Sequence, residues 1–68
     1  MNFPYGPYLE VLNFIRQHPE GCTAKQIGEA FPHLDADTRG AIIYRLRVSG
    51  FVLRTYGKRN VRVWVAIR

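Results

Sequence analysis

The chain has one cysteine, Cys22, two histidines, His18 and His33, no acidic residue after Asp37, and no long apolar run. A single thiol closes no internal disulfide, and no stretch approaches the roughly 18 apolar residues of a membrane span or forms a signal-peptide core. The expectation is therefore a reduced, cytoplasmic protein that makes no membrane contact. One cysteine and two scattered histidines supply no zinc-type ligand set, so neither a metal nor a cofactor is expected. No glycine-rich phosphate loop, carboxylate pair or Ser-His-Asp set is present in segments this short. A core of 68 residues is also hard put to enclose a dry pocket of several hundred Å3. An enzyme is not expected.

What is present is a fold's worth of apolar residues and an uneven charge. With 47% hydrophobic and 22% charged residues the chain is too apolar for disorder, and its length makes one domain. Residues 1–37 hold two bases and five acids, a net −3, whereas residues 38–68 hold eight bases and no acid, a net +8. A concentrated basic half of this kind suggests a surface for a polyanion, and nucleic acid is the commonest one inside a cell.

The pattern of residues divides the chain into five elements. Residues 1–6 are a lead-in rich in Pro, Gly and aromatics, suited to lie over the core as a lid. Pro7 fits the first turn of a helix, and Tyr8, Val11, Leu12 and Ile15 follow helical spacing, which predicts helix 1 over residues 7–17 with His18-Pro19 as its stop. Thr23-Ala24-Lys25-Gln26 reads as a capping box opening helix 2 over residues 23–31, with Cys22 and Ile27 spaced for a hydrophobic staple across the cap. Asp35 or Asp37 suits the N-cap of helix 3, residues 36–48, and Gly50 suits its left-handed C-terminal cap. Phe51–Tyr56 and Val61–Ile67, separated by Gly57-Lys58-Arg59-Asn60, predict a two-stranded ribbon over residues 51–67.

Helix 3 carries an apolar stripe of Ile42, Ile43 and Leu46. A rotation of about 100° per residue puts Asp37, Gly40, Tyr44 and Arg47 on the other side, flanked by Ala41, Arg45 and Val48. Tyr44 is suited to lie on a sugar or donate to phosphate, and Arg45 and Arg47 to read a guanine edge or grip phosphate; the bland reading of the two arginines is a favourable interaction with the helix dipole. Lys58 and Arg59 at the turn of the ribbon, and Lys25 and Thr38 near the starts of helices 2 and 3, are candidate phosphate ligands. Arg54 and Arg62 suit either phosphate contact or protection of an exposed strand edge. Trp64 reads as core, with base stacking as its alternative, and His18 and His33 read as helix C-terminal caps.

Three helices, a glycine and a β-hairpin follow one another here in the order of a winged helix-turn-helix domain, an α+β fold. Thr23 to Phe31 (TAKQIGEAF) resembles that family's positioning helix, and Arg45 to Val52 (RLRVSGFV) its passage from recognition helix into wing. Val63-Trp64-Val65 resembles the aromatic and aliphatic residues that close its wing on the core. Among small stand-alone members the chain is most similar to the PapI and FaeA class of bacterial fimbrial regulators; a phage or plasmid regulator has the same look. Two residues depart from the family pattern: Arg39 stands near the buried stripe where a small apolar residue is usual, and Gly40 stands in mid-helix.

The resemblance implies a sequence-selective, double-stranded DNA-binding transcriptional regulator associated with the nucleoid, with helix 3 in the major groove and the wing on phosphates. The implied DNA contacts are Lys25, Thr38, Gly40, Tyr44, Arg45, Arg47, Arg54, Lys58, Arg59 and Arg62. No helix is spare for a dimer interface, which implies a monomer or weak dimer, with a second regulatory protein as a further partner. Two other readings remain open: a winged-helix adaptor that binds protein and no nucleic acid, favoured by an apolar patch on helix 3, and a single-strand or RNA binder, favoured by Trp64 and Tyr56 sharing one exposed face.

Overall fold

Both ends of helix 3 are closed by the residues that its sequence offers for the purpose. The Asp35 carboxylate accepts the Thr38 backbone N–H at 2.7 Å. At the other end Gly50, at φ +83°, lets its own N–H reach the Arg47 carbonyl while the Phe51 N–H reaches that of Leu46. This doubly bonded glycine cap ends the helix. In the computed structural model, which describes residues 2–68, the helix spans Ala36–Val48 as expected, and Asp37 lies in its first turn.

The other elements are α1 (Gly6–Arg16), α2 (Ala24–Ala30), then α3 (Ala36–Val48), β1 (Val52–Tyr56), a 3-10 turn at Lys58–Asn60, and β2 (Arg62–Ala66). The arrangement is α+β, three helices followed by a two-stranded antiparallel hairpin, which is the winged helix-turn-helix order. Helix α1 starts and ends one residue earlier than its spacing predicts, because the Tyr5 carbonyl already accepts the Tyr8 and Leu9 N–H groups, and Gln17 becomes the C-cap. Around α2 the capping box forms in both directions: the Thr23 Oγ1 accepts from Gln26 N at 3.1 Å, and Thr23 N donates to Gln26 Oε1 at 2.8 Å. Thr23 and Phe31 are thus caps and not helical residues. The strands are likewise one residue shorter at each outer end than the 51–67 expected. Met1, counted with the lead-in, lies outside the described residues, and the remainder places Phe3 against Tyr8 and Phe51.

The core gathers the helical stripes predicted for it: Val11, Leu12 and Ile15 from α1, Ile27 and Phe31 at α2, and Ile42, Ile43 and Leu46 from α3, closed by Val52. Helix α1 packs on α3 and β2, and α3 packs on β1. Cys22 is fully buried, as is Ile27 within 1%, but the main chain of Cys22 does something its sequence position does not announce. Its N–H donates to the Trp64 carbonyl and its carbonyl accepts the Trp64 N–H, both at 2.9 Å. This isolated antiparallel bridge makes the α1–α2 turn a one-residue third strand along β2. His18 does cap α1, its Nδ1 2.9 Å from the Phe14 carbonyl, whereas His33 lies edge-on to Phe31. No helix among the described residues is long and apolar enough to cross a membrane.

The bridge constrains its neighbours. Gly21 sits at φ +102°, and a Cβ there meets Val63 Cγ2 at 2.7 Å. Gly21→Ala combines a left-handed alanine with overpacking, and is expected to destabilise the fold by about 2–4 kcal/mol in urea titration. Burial, with Glu20 adding to it, pushes the Cys22 thiol up to about 11. Since the thiolate is the nucleophile, Cys22 is expected to resist alkylation at neutral pH until denaturant opens the fold. Rapid stoichiometric labelling of the native protein would contradict that burial.

Candidate nucleic-acid interface

The candidate contacts are delivered by α2, α3 and the ribbon, and they divide into groups. Tyr44 and Arg47 lie one turn apart on α3, with the Arg47 guanidinium carbon 6.0 Å from the Tyr44 ring centroid. Tyr44 is 61% exposed, so it is not core. Arg45 points elsewhere: its guanidinium carbon stands 4.6 Å from the Phe3 ring and 5.2 Å from the Tyr8 ring. The aromatic lead-in thus holds Arg45 on the α1 side of α3 by cation–π attraction, apart from Arg47. The α3 pattern already sets Arg45 at the flank of the face that carries Arg47; what draws it to the α1 side is the Phe3 and Tyr8 pair.

Arg39, out of pattern in the sequence, is half-buried, and its Nη1 donates to the Leu34 carbonyl at 3.0 Å. Its guanidinium lies over Gly28 of α2, where a Cβ would approach the guanidinium carbon to 3.3 Å. The arginine therefore ties α3 to the chain segment entering it, and Gly28 leaves the room. The hydrogen bonds from Thr38, with Arg39 adding a smaller effect, hold the Asp35 carboxyl below the usual carboxylate range. Thr38 is exposed and its N–H is already taken by the Asp35 cap.

On the ribbon, β1 and β2 pair in a register that sets Arg54 opposite Trp64 and Tyr56 opposite Arg62. Directly opposed residues share a face, as do residues two apart on one strand, so all four side chains lie on one side of the ribbon. Near the helices that face is closed by Val52 and the half-buried Trp64. Farther out, Arg54, Tyr56 and Arg62 are exposed. Lys58 and Arg59 are exposed in the turn, and Arg59 adopts φ 60°, ψ 26°, with Asn60 at φ 58° beside it. Asparagine tolerates this left-handed conformation, but arginine does so at a cost of about 1–2 kcal/mol.

Between these elements is a cleft of about 280 Å3 whose walls include Ala24, Ile27, Gly40, Tyr44, Arg47 and Trp64. A second and shallower depression of about 480 Å3 runs along the ribbon past Lys25, Tyr56 and Arg62. Ala24 and Trp64 line both, so the two form one groove. Lys25, Gly40, Tyr44, Arg47 and Arg62 thereby border one groove, Arg54 shares the ribbon face beside it, Lys58 and Arg59 project at the wing tip, and Arg45 stands apart. Among the described residues no three His, Cys, Asp or Glu side chains gather as a metal site. Trp64, expected mainly as core, is both a core neighbour and a groove wall. No family model, curated protein or solved structure matches the chain.

Gly40 opens on empty space, with no atom within 4 Å of where its Cβ would be. Packing therefore does not require it, and it weakens α3 by the backbone freedom of glycine. Gly40→Ala is expected to stabilise the protein by about 0.5–1 kcal/mol in thermal or urea unfolding. A destabilised variant would show that the helix needs glycine for its own sake.

Proposed function

We propose that the chain is a sequence-selective, double-stranded DNA-binding transcriptional regulator of the winged helix-turn-helix type, nucleoid-associated and acting as a monomer or weak dimer. The observation that carries this reading is the convergence of exposed Tyr44, the Arg47 beside it, Lys25 at the start of α2 and Arg62 of the wing on one groove. They belong to a chain that places no acid after Asp37. In this reading α3 enters the major groove, with Gly40 admitting close approach and Arg47 and Tyr44 meeting base edges or the sugar. Lys25, Thr38, Arg54, Lys58, Arg59 and Arg62 neutralise phosphates, releasing condensed counterions. Arg45, engaged by Phe3 and Tyr8, serves orientation of the lead-in more than DNA contact.

A second reading is an adaptor that binds protein through the same face, and the apolar walls of the cleft are the observation in its favour. An arginine-rimmed apolar cleft suits an acidic segment with one large apolar anchor. The cationic wing tip distinguishes the readings. Lys58 and Arg59 are exposed in the turn and line neither depression, so an anchor in the cleft leaves them unused and a DNA backbone does not.

Titration of a bound duplex with salt, followed by fluorescence anisotropy, tests the proposal. Arg59→Ala is expected to weaken binding evenly across sequences and to lower the slope of log affinity against log salt by about one. Arg47→Ala is expected to relax discrimination at one base pair by about 1–3 kcal/mol. A response that stays flat between low and moderate salt would sink it.

A further inference from the structure

We infer that the groove walled by Tyr44, Trp64 and Tyr56 accommodates unpaired bases, so that the ligand this face holds best is a DNA duplex opened over a short stretch. The inference rests on the nucleic-acid reading of the same face and adds to it the form of the DNA.

Three observations lead there. Rings and cations alternate along the groove and the ribbon face beside it: Arg47 and Tyr44 on α3, then Trp64 with Arg54 opposite it on that face, then Tyr56 with Arg62 opposite. A cationic groove interleaved with aromatic side chains is the physical requirement for holding a single strand, the cations following phosphates while bases stack on the rings. Second, Tyr56 and Trp64 are diagonal neighbours on one face of the ribbon, their backbone positions on the order of 7–8 Å apart and within reach of one strand of nucleic acid. Third, most of the surface inside the cleft is apolar, from Ala24, Ile27, Ala36, Ile43 and Trp64, with Arg39, Tyr44 and Arg47 as its polar members. The apolar part offers base edges no partner, but it can cover flat base faces.

The last observation separates open DNA from closed. In an intact duplex the faces of the bases are hidden in the stack, and only edges, sugars and phosphates are presented to a protein. An apolar cleft set against an intact duplex is left facing sugar and phosphate, and the exposed Tyr56 ring has nothing to stack on. A displaced base fills the cleft and covers Trp64, while the wing cations keep the phosphates on either side. A single acidic peptide anchor would also fill the cleft of about 280 Å3. It would not account for the second ring at Tyr56 or for the line of cations leading to it.

Trp64 is the only tryptophan, so its emission reports directly on the groove. The test compares three probes at moderate salt: a blunt duplex, the same duplex with a central run of unpaired thymines, and that bubble with abasic sites in place of the thymines. Roughly tenfold tighter binding of the thymine bubble than of the other two is expected, with quenching of Trp64 by that probe alone. Tyr56→Ala, at a side chain 61% exposed, should leave the fold and the blunt-duplex affinity in place and remove most of the preference. Equal affinity for the thymine and abasic bubbles, or equal affinity for bubble and blunt duplex without quenching, would overturn the inference and leave duplex binding intact. Absence of binding to all three, with Trp64 instead quenched by an acidic peptide carrying a phenylalanine, would overturn both.

Discussion

The two backbone hydrogen bonds between Cys22 and Trp64 are the constraint on which the rest of the molecule depends. A two-stranded ribbon is marginal in water on its own, and this one extends from a small domain. The bridge fastens β2 to the α1–α2 turn, close to the cap from which α2 departs. It thereby fixes the distance between α2 and the wing, and with it the groove between them. Gly21 is the local consequence: the turn passes so close to Val63 and Val65 that no side chain fits, and its backbone is left-handed. Buried Cys22 contributes its main chain to the bridge and a small apolar side chain to the core, with its thiol held protonated by burial.

From that fixed frame the surface acquires two characters that seldom coincide. The wing and the adjoining face of α3 are cationic, while the cleft between them is apolar. Desolvation keeps the cations out of the core, and the described buried residues include no polar or charged side chain. Arg39 shows the compromise, its stem half-buried and its guanidinium satisfied by the Leu34 carbonyl over Gly28. At the wing tip the compromise concerns the backbone. Arg59 occupies a conformation that glycine adopts freely and arginine does not, so the charge is kept at a conformational cost.

Much of this was legible in the sequence wherever the determinants are local. Helix α3 has the boundaries its pattern predicts because each end carries a residue with one dominant structural use, Asp35 accepting the Thr38 N–H and Gly50 taking the left-handed cap. The Thr23 capping box was equally plain. Helix α1 is displaced by one residue because Pro7 marks the first turn without stating which carbonyl begins the ladder. The Cys22–Trp64 bridge was not legible: the pairing joins residues 42 apart, and one residue of strand leaves no alternation to detect. The pattern put Arg45 at the flank of the face carrying Arg47, but its engagement on the α1 side was not legible, since that depends on where Phe3 and Tyr8 lie. Arg39 was visible as an oddity and Gly28 was not, and only their proximity in space makes them one feature.

Trp64 brings these strands together, and its half-burial follows from its position. The residue lies where the ribbon face passes from core to solvent, with Val52 and Ala66 on the inner side and Arg54, Tyr56 and Arg62 on the outer. Its own N–H and carbonyl are both bonded to Cys22, and its neighbours Val63 and Val65 pair with Thr55 and Leu53 of β1, so the indole cannot follow a ligand by moving its strand. What can change is whatever covers its exposed side. A rigid ring, flanked by an apolar cleft on one side and a cationic ribbon on the other, is complementary to a ligand that presents a flat apolar face and a negative charge together. Duplex DNA meets the second requirement alone; an aromatic anchor in an acidic peptide meets both but leaves Tyr56 and the outer cations without a partner, whereas a base displaced from its stack and still joined to its phosphates meets both and engages them.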